Sequence, residues 1–247
     1  MSIDSKRFVI LAMARTGSYM LTSFLNTYDD IVCFGELLKK NPLNEIDHLG
    51  LFDKIDNKFN TLKYRQKHYK EYLENIFSIC SDKPYIGFKL MLAQNEKALK
   101  HIIDDDRYKI ILLYRKNILA SYSSMLISKA TGQAVARTNE DIKKANIYFK
   151  QKHFERFWRR RDRLYAKVRS LLKEHRDYLE IEYDTIRLNS GLQGVVNFVG
   201  AKYEYLPQLV TRKRNTSDII NRFVNCNEVE AYLSCINHED WAIEGDI

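Results

Sequence analysis

The sequence predicts an α/β fold in three layers, with a central parallel β-sheet flanked by helices on both faces. Five short apolar runs recur along the chain, and a segment with helical periodicity follows each of them. Only 9 Gly and 3 Pro occur in 247 residues, too few for a turn-dense all-β architecture. Apolar residues make up 45% of the chain, enough for one large core, and that excludes intrinsic disorder.

The elements follow in order. Phe8 to Met13 (FVILAM) is a continuous apolar run, as expected for a strand buried on both faces. It leads through Ala14–Arg15–Thr16–Gly17–Ser18 into YMLTSFLNTY, which has helical periodicity. Ile31 to Glu36 is a second strand. Asn41 to Asn60 is polar, with Pro42 and Gly50, and reads as an irregular insertion. A helix is expected from about Tyr64 to Ser81, a third strand over Tyr85 to Leu92, and a helix from about Asn95 to Ile103. Tyr108 to Tyr114 is the most hydrophobic strand, with a helix over Asn117 to Lys129. Tyr178 to Tyr183 is the fifth strand, followed by helices near Ser190 to Val199 and Asn227 to Ile236. No Pro/Gly/Ser linker divides the chain, so residues 1–247 read as one domain.

The formal charge of +8 is concentrated. Glu140 to Arg176 holds 13 Lys/Arg against 5 Asp/Glu, and the rest of the chain is near balance. Within it, Phe154, Phe157, Trp158, Leu164, Tyr165, Val168, Leu171 and Leu172 recur at three- and four-residue spacing. The segment reads as a long amphipathic helix whose basic face is either solvated or a surface that attracts an anionic substrate or nucleic acid, and composition does not choose between them. The Trp158–Arg159–Arg160–Arg161 stretch raises a nucleic-acid interface, but no recognisable binding motif accompanies it, so nucleic acid is not the expected partner.

The four cysteines (Cys33, Cys80, Cys226, Cys235) have no metal-ligand spacing and read as reduced, mostly buried thiols. The six histidines form no metal site, so no metal is expected. The first apolar run spans six residues, too short to cross a membrane, and no secretory cleavage site follows it. These features predict a cytoplasmic protein without a transmembrane segment.

In parallel sheets, ligands bind beyond the carboxyl ends of the strands, where Arg15, Glu36, Lys89 and Arg115 are expected to converge. Ala14–Arg15–Thr16–Gly17–Ser18 joins a strand to a helix, and a helix start with a glycine turn is an anion site. Arg15 and the hydroxyls of Thr16 and Ser18 add donors. The loop lacks the Gly-Lys pair of GxxxxGK[ST], which counts against a nucleotide kinase. Arg115 ends the fourth strand, and Ser121, Ser123 and Ser124 follow within two helical turns. Glu182–Tyr183–Asp184 closes the fifth strand, and Arg212–Lys213–Arg214–Asn215 is a late basic cluster.

Together these motifs resemble the sulfotransferases that use 3′-phosphoadenylyl sulfate (PAPS), in particular the bacterial carbohydrate-type (trehalose/Nod-factor-like) branch. The resemblance runs from Phe8 to about Leu233. It implies a P-loop-like fold with Arg15–Thr16–Gly17–Ser18–Tyr19 as the 5′-phosphosulfate loop, arginine standing where many members have lysine. It implies that Arg115 and Ser123, eight residues apart, take the 3′-phosphate, that Tyr183 approaches the adenine, and that Arg212, Lys213 and Arg214 return over the 3′-phosphate. Asn225–Cys226–Asn227–Glu228 is similar to a short asparagine-to-glutamate stretch of the bacterial branch. The chain departs from the cytosolic animal branch in lacking GxxGxxK and a histidine after Lys89.

The expected reaction moves a sulfuryl group from PAPS to an acceptor hydroxyl, of a carbohydrate or glycolipid, by in-line displacement. Glu36 is the expected base, Arg15 stabilises the leaving phosphate, and Lys89 assists at the bridging oxygen or the acceptor. The bland alternative for Glu36 is an ion pair with a loop lysine such as Lys39. The rival classes are a P-loop nucleotide kinase and a non-catalytic nucleotide- or nucleic-acid-binding relative. Leu37 to Tyr64 and Lys129 to Asn139 flank the site and are expected to shape the acceptor pocket.

Overall fold

A computed structural model of the chain describes residues 5–39, 54–133, 142–175, 177–202 and 216–245. Five strands, β1 (Lys6–Ala12), β2 (Ile31–Glu36), β3 (Tyr85–Met91), β4 (Tyr108–Tyr114) and β5 (Tyr178–Glu182), form one sheet in the order β2-β3-β1-β4-β5. Every pairing is parallel. The α/β architecture with a central parallel sheet read from the sequence is therefore the one observed.

The alternation of side chains along the central strands decides the layers. On one face, Val9, Leu11, Phe88, Leu90, Ile110 and Leu112 pack beneath α3 (Tyr69–Ile79), α4 (Glu96–Ile103) and the second half of α6 (Gln151–Leu172). On the other, Phe8, Ile10, Ala12, Ile111 and Leu113 meet α1 (Ser18–Leu25) and α8 (Asn189–Val199). A third apolar cluster joins α5 (Ile118–Thr131), the start of α6, Phe223, α9 (Cys226–Cys235) and Trp241. The short helices α2 (Leu62–Lys67) and α7 (Tyr183–Ile186) complete the set used below.

Three sequence expectations need correction. The helix expected over Tyr64 to Ser81 is broken at His68 into α2 and α3. The basic segment does not become helical until Gln151; Phe149 instead pairs its backbone N–H and carbonyl with the Asn225 side chain, at 2.8 and 3.0 Å. The stretch around Asn225 is thus a clamp on the entry to α6, with Asn225 also donating to Glu228 Oε2 at 2.8 Å. Nor is the Trp158–Arg161 stretch a single surface. Trp158 stacks edge-on against Trp241 at 4.9 Å, and Arg161 is buried, whereas the Arg159 side chain is 76% exposed.

The cysteines also divide differently. Cys33 and Cys80 are buried, but Cys226 is half-buried and Cys235 exposed. Burial pushes the Cys33 thiol up to about 12 and the Cys80 thiol up to about 11. Titration with 5,5′-dithiobis(2-nitrobenzoate) near neutral pH is expected to label two thiols in the native protein and all four after denaturation. Four fast thiols in the native state would contradict the burial described.

Among the described residues, no helix is long and apolar enough to cross a membrane.

Candidate active site

The turn leaving β1 is tightly wound. Arg15 has φ +69° and Gly17 φ +82°, both in the left-handed region. Arginine is strained there by about 1–2 kcal/mol, and its surroundings hold it. Its Nε donates to Ser124 Oγ at 2.9 Å, and its carbonyl accepts from Arg115 Nη1 at 3.1 Å. Thr16 Oγ1 donates to the Met13 carbonyl at 2.8 Å and closes the loop. Gly17 is required twice over, by its φ and by space: a Cβ there would lie 2.4 Å from Cδ2 of Tyr183. Among the described residues no side chain caps the start of α1, so the helix presents its first-turn N–H groups and positive dipole end to the loop.

The end of β4 faces this turn. Arg115 is buried, and its guanidinium carbon lies 4.3 Å from the Tyr183 ring centroid. Tyr183 therefore sits between Gly17 and Arg115 and fixes their separation. It does not continue β5 as the sequence suggested. It opens α7, because the Glu182 carboxylate accepts from the backbone N–H groups of Asp184 and Lys116, at 2.5 and 2.9 Å. Asn117 Oδ1 caps α5 by accepting from Ala120 N at 2.9 Å. Tyr165 of α6 ties the two strand ends together: its hydroxyl accepts from Met13 N at 3.2 Å and donates to the Leu113 carbonyl at 2.8 Å.

The serines of α5 are divided between two arginines. Ser124 receives Arg15, whereas Ser123 Oγ receives Arg222 Nη1 at 2.9 Å. Arg222 is buried, and its Nε donates to the Thr216 carbonyl at 3.1 Å. Burial, opposed by Glu244 and reinforced by Arg115, lowers the Arg222 pKa to about 10, so it remains a cation at neutral pH. The remaining charge is Glu244, only 3% exposed, whose Oε1 accepts from Arg115 Nε at 2.8 Å and from Nη2.

Glu36 and Lys89 form a second group. A bulge in β2 after Phe34 places Glu36 opposite Lys89 of β3. Their Oε1 and Nζ are 3.7 Å apart, and Gln94 Nε2 donates to Glu36 Oε2 at 3.4 Å. The cationic partner of Glu36 is therefore this buried strand lysine; Lys39 meets Glu36 through its backbone N–H, which donates to the Glu36 carbonyl at 3.3 Å. Lys89 Nζ also lies 6.0 Å from the Tyr19 ring centroid, which connects this pair to the helix that follows the loop.

The structure thus brings the loop residues Arg15, Thr16, Gly17 and Ser18 together with Arg115 and Tyr183, and sets Glu36, Lys89 and Tyr19 on the other side of the loop. Ser123 meets Arg222 instead of the Arg115 partner that spacing suggested. Arg212, Lys213 and Arg214 lie outside the described residues, as do residues 40–53 and 134–139 of the two flanking segments. Sequence reasoning missed Arg222, Glu244 and Arg161, the last donating to the Arg115 carbonyl from inside the apolar stripe of α6. The signal for Arg222 and Arg161 was present: each is an arginine at a position whose neighbours in the pattern are buried and apolar.

No protein-family model matches the chain. Nodulation protein H of Rhizobium tropici is 25% identical over 235 residues, covering 92% of this chain and 89% of that protein. Among solved structures, the sulfotransferase domain of the Synechococcus PCC 7002 olefin synthase is 15% identical, with TM-score 0.43, over 82% of this chain and 76% of that one. A sulfotransferase from Alicyclobacillus acidocaldarius is 12% identical, with TM-score 0.44, over 98% and 97%. At such scores the overlays carry no argument of their own.

Proposed function

We propose that this chain is a PAPS-dependent sulfotransferase, one domain over residues 1–247, acting in the cytoplasm on a hydroxyl of a saccharide or glycolipid. The observation that carries the reading is the junction at the sheet's carboxyl end. A glycine turn into an uncapped helix start touches, through the Arg15 carbonyl, a buried arginine at the end of the neighbouring strand. A donor with phosphate at both its 5′ and 3′ positions needs two such anion seats side by side. The near full-length similarity to a nodulation protein supports the bacterial carbohydrate-type branch, and hence the class of acceptor.

Arg15, Thr16, Gly17, Ser18 and Tyr19 hold the 5′-phosphosulfate end, and Arg115, Ser123 and Arg222 hold the 3′-phosphate. Tyr183 is assigned to the adenine side of the seat, and Arg212, Lys213 and Arg214, outside the described residues, to the same 3′-phosphate. These cations meet the donor's charge, so the reading calls for no metal. The acceptor oxygen bonds to sulfur as the bond from sulfur to the bridging phosphate oxygen breaks, and that electron pair leaves on the phosphate. The acceptor's proton passes to the Glu36 carboxylate. Arg15 and the first-turn N–H groups of α1 stabilise charge developing on the leaving phosphate. Lys89, 3.7 Å from Glu36, holds the base beside the loop.

Calorimetry separates this reading from its rivals. Adenosine 3′,5′-bisphosphate is expected to bind with chelator present, and ATP with magnesium and duplex DNA to bind far more weakly. Tight binding of magnesium ATP without binding of the bisphosphate would overturn the proposal in favour of a kinase.

A further inference from the structure

The seat assigned to the 3′-phosphate already holds an acid. Glu244 lies 129 residues along the chain from Arg115, yet its Oε1 takes both Nε and Nη2 of that guanidinium. The segment that carries it is stitched in place. The Ala242 carbonyl accepts from Ile219 N at 2.8 Å, and Glu244 N donates to the Ser217 carbonyl at 2.9 Å. Asn117 Nδ2 donates to the Trp241 carbonyl at 3.2 Å, and Arg187 Nη1 to that of Gly245 at 2.7 Å. The segment is therefore a strap laid across the start of α5, with its carboxylate pointing at Arg115.

The carboxylate is a poor fit for this seat. Its Oε2 is buried and has no hydrogen-bond partner among the described residues, although a buried carboxylate oxygen without a partner is costly. The charges do not balance either. Arg115 and Arg222 supply two positive charges and Glu244 one negative, whereas a phosphate monoester carries about −1.5 to −2 at neutral pH. A phosphate would satisfy both arginines with three terminal oxygens where the glutamate offers one satisfied oxygen.

We propose that Glu244 is a built-in competitor for the donor's 3′-phosphate: it occupies the Arg115 seat in the free protein and must leave, with the strap 241–245, for the nucleotide to bind. This rests on the sulfotransferase reading, which assigns the seat to the 3′-phosphate. The strap keeps Arg115 paired and in place when no nucleotide is bound. By competing with the spent nucleotide for the same arginines, it also speeds release of the product. The apparent affinity is the intrinsic one multiplied by the fraction of molecules in which the seat is free.

The test is calorimetry of wild-type and Glu244→Gln protein with adenosine 3′,5′-bisphosphate and with adenosine 5′-phosphate. The substitution is expected to tighten the bisphosphate about tenfold or more, the factor by which the closed strap outweighs the open one, and to leave the 5′-phosphate unchanged. Hydrogen exchange on the wild-type protein gives a second readout. The amides of Ile219 and Glu244 are expected to exchange faster when the bisphosphate is bound, because their partners move away. If wild type prefers the bisphosphate but Glu244→Gln binds it equally or more weakly, or if those amides become more protected, the strap proposal falls and the sulfotransferase reading stands. If neither protein distinguishes the two nucleotides, the reading falls and takes the proposal with it.

Discussion

Replacing Arg115 by alanine is expected to weaken binding of adenosine 3′,5′-bisphosphate by about 100-fold, the worth of two charge-assisted hydrogen bonds lost from a desolvated site. The same change has a second consequence that must be separated from the first. Arg115 is the ion-pair partner of Glu244, and both side chains are under 10% exposed. Removing one member of a buried pair leaves the other uncompensated and costs about 3–5 kcal/mol. Arg222 lies near enough to take up part of that charge, so the lower end is expected, seen as a drop in melting temperature. The double variant Arg115→Ala/Glu244→Gln removes the orphaned carboxylate. It is expected to recover most of the melting temperature while still binding the bisphosphate more weakly than wild type. If affinity returned in full with stability, Arg115 would be a structural residue and the 3′-phosphate assignment would be lost.

That these two residues face one another could not have been read from the sequence. The strands were legible because burial on both faces forces a continuous apolar run, and such runs are bounded sharply by charge. Ile31–Glu36 and Tyr108–Tyr114 begin and end where the hydrophobicity does. The loop was legible because a glycine between a strand and a helix narrows the possible backbone shapes, and the turn takes positive φ at Arg15 and Gly17. The start of the basic helix was not. The charge run begins at Glu140, ahead of the helix, and a run of lysines says nothing about where hydrogen bonding begins. The Asn225 side chain, 76 residues away, holds Phe149 outside the helix. Arg222 on Ser123 and Glu244 on Arg115 are likewise contacts across 99 and 129 residues. Local spacing suggests Arg115 and Ser123 as a pair, whereas Ser123 receives Arg222. It is silent about the two charges that the third apolar cluster and the strap deliver between them.

The second large effect concerns the base. Glu36→Gln is expected to lower turnover by roughly 10²–10⁴-fold, the usual worth of a positioned general base, with bisphosphate affinity nearly unchanged. Glutamine keeps the shape and the hydrogen bond to Gln94 but cannot accept the acceptor's proton, so near-wild-type turnover would sink the assignment. The difficulty is Lys89. It is 4% exposed, and Glu36 lies within ion-pair distance of it, so any loss on Glu36→Gln has two readings: loss of the base, or displacement of a lysine that itself touches the donor. A double-mutant cycle with Lys89→Met distinguishes them. If Lys89 acts by holding Glu36 in place, its removal costs turnover in the wild-type background and little more once Glu36 is gone, and bisphosphate affinity does not move. If it reaches the bridging oxygen, the two losses multiply. The 3.7 Å pairing across β2 and β3, and the Tyr19 ring between Lys89 and the loop, favour the first outcome. The double variant is therefore expected to turn over within about threefold of Glu36→Gln alone, since residues that act as one unit are not additive.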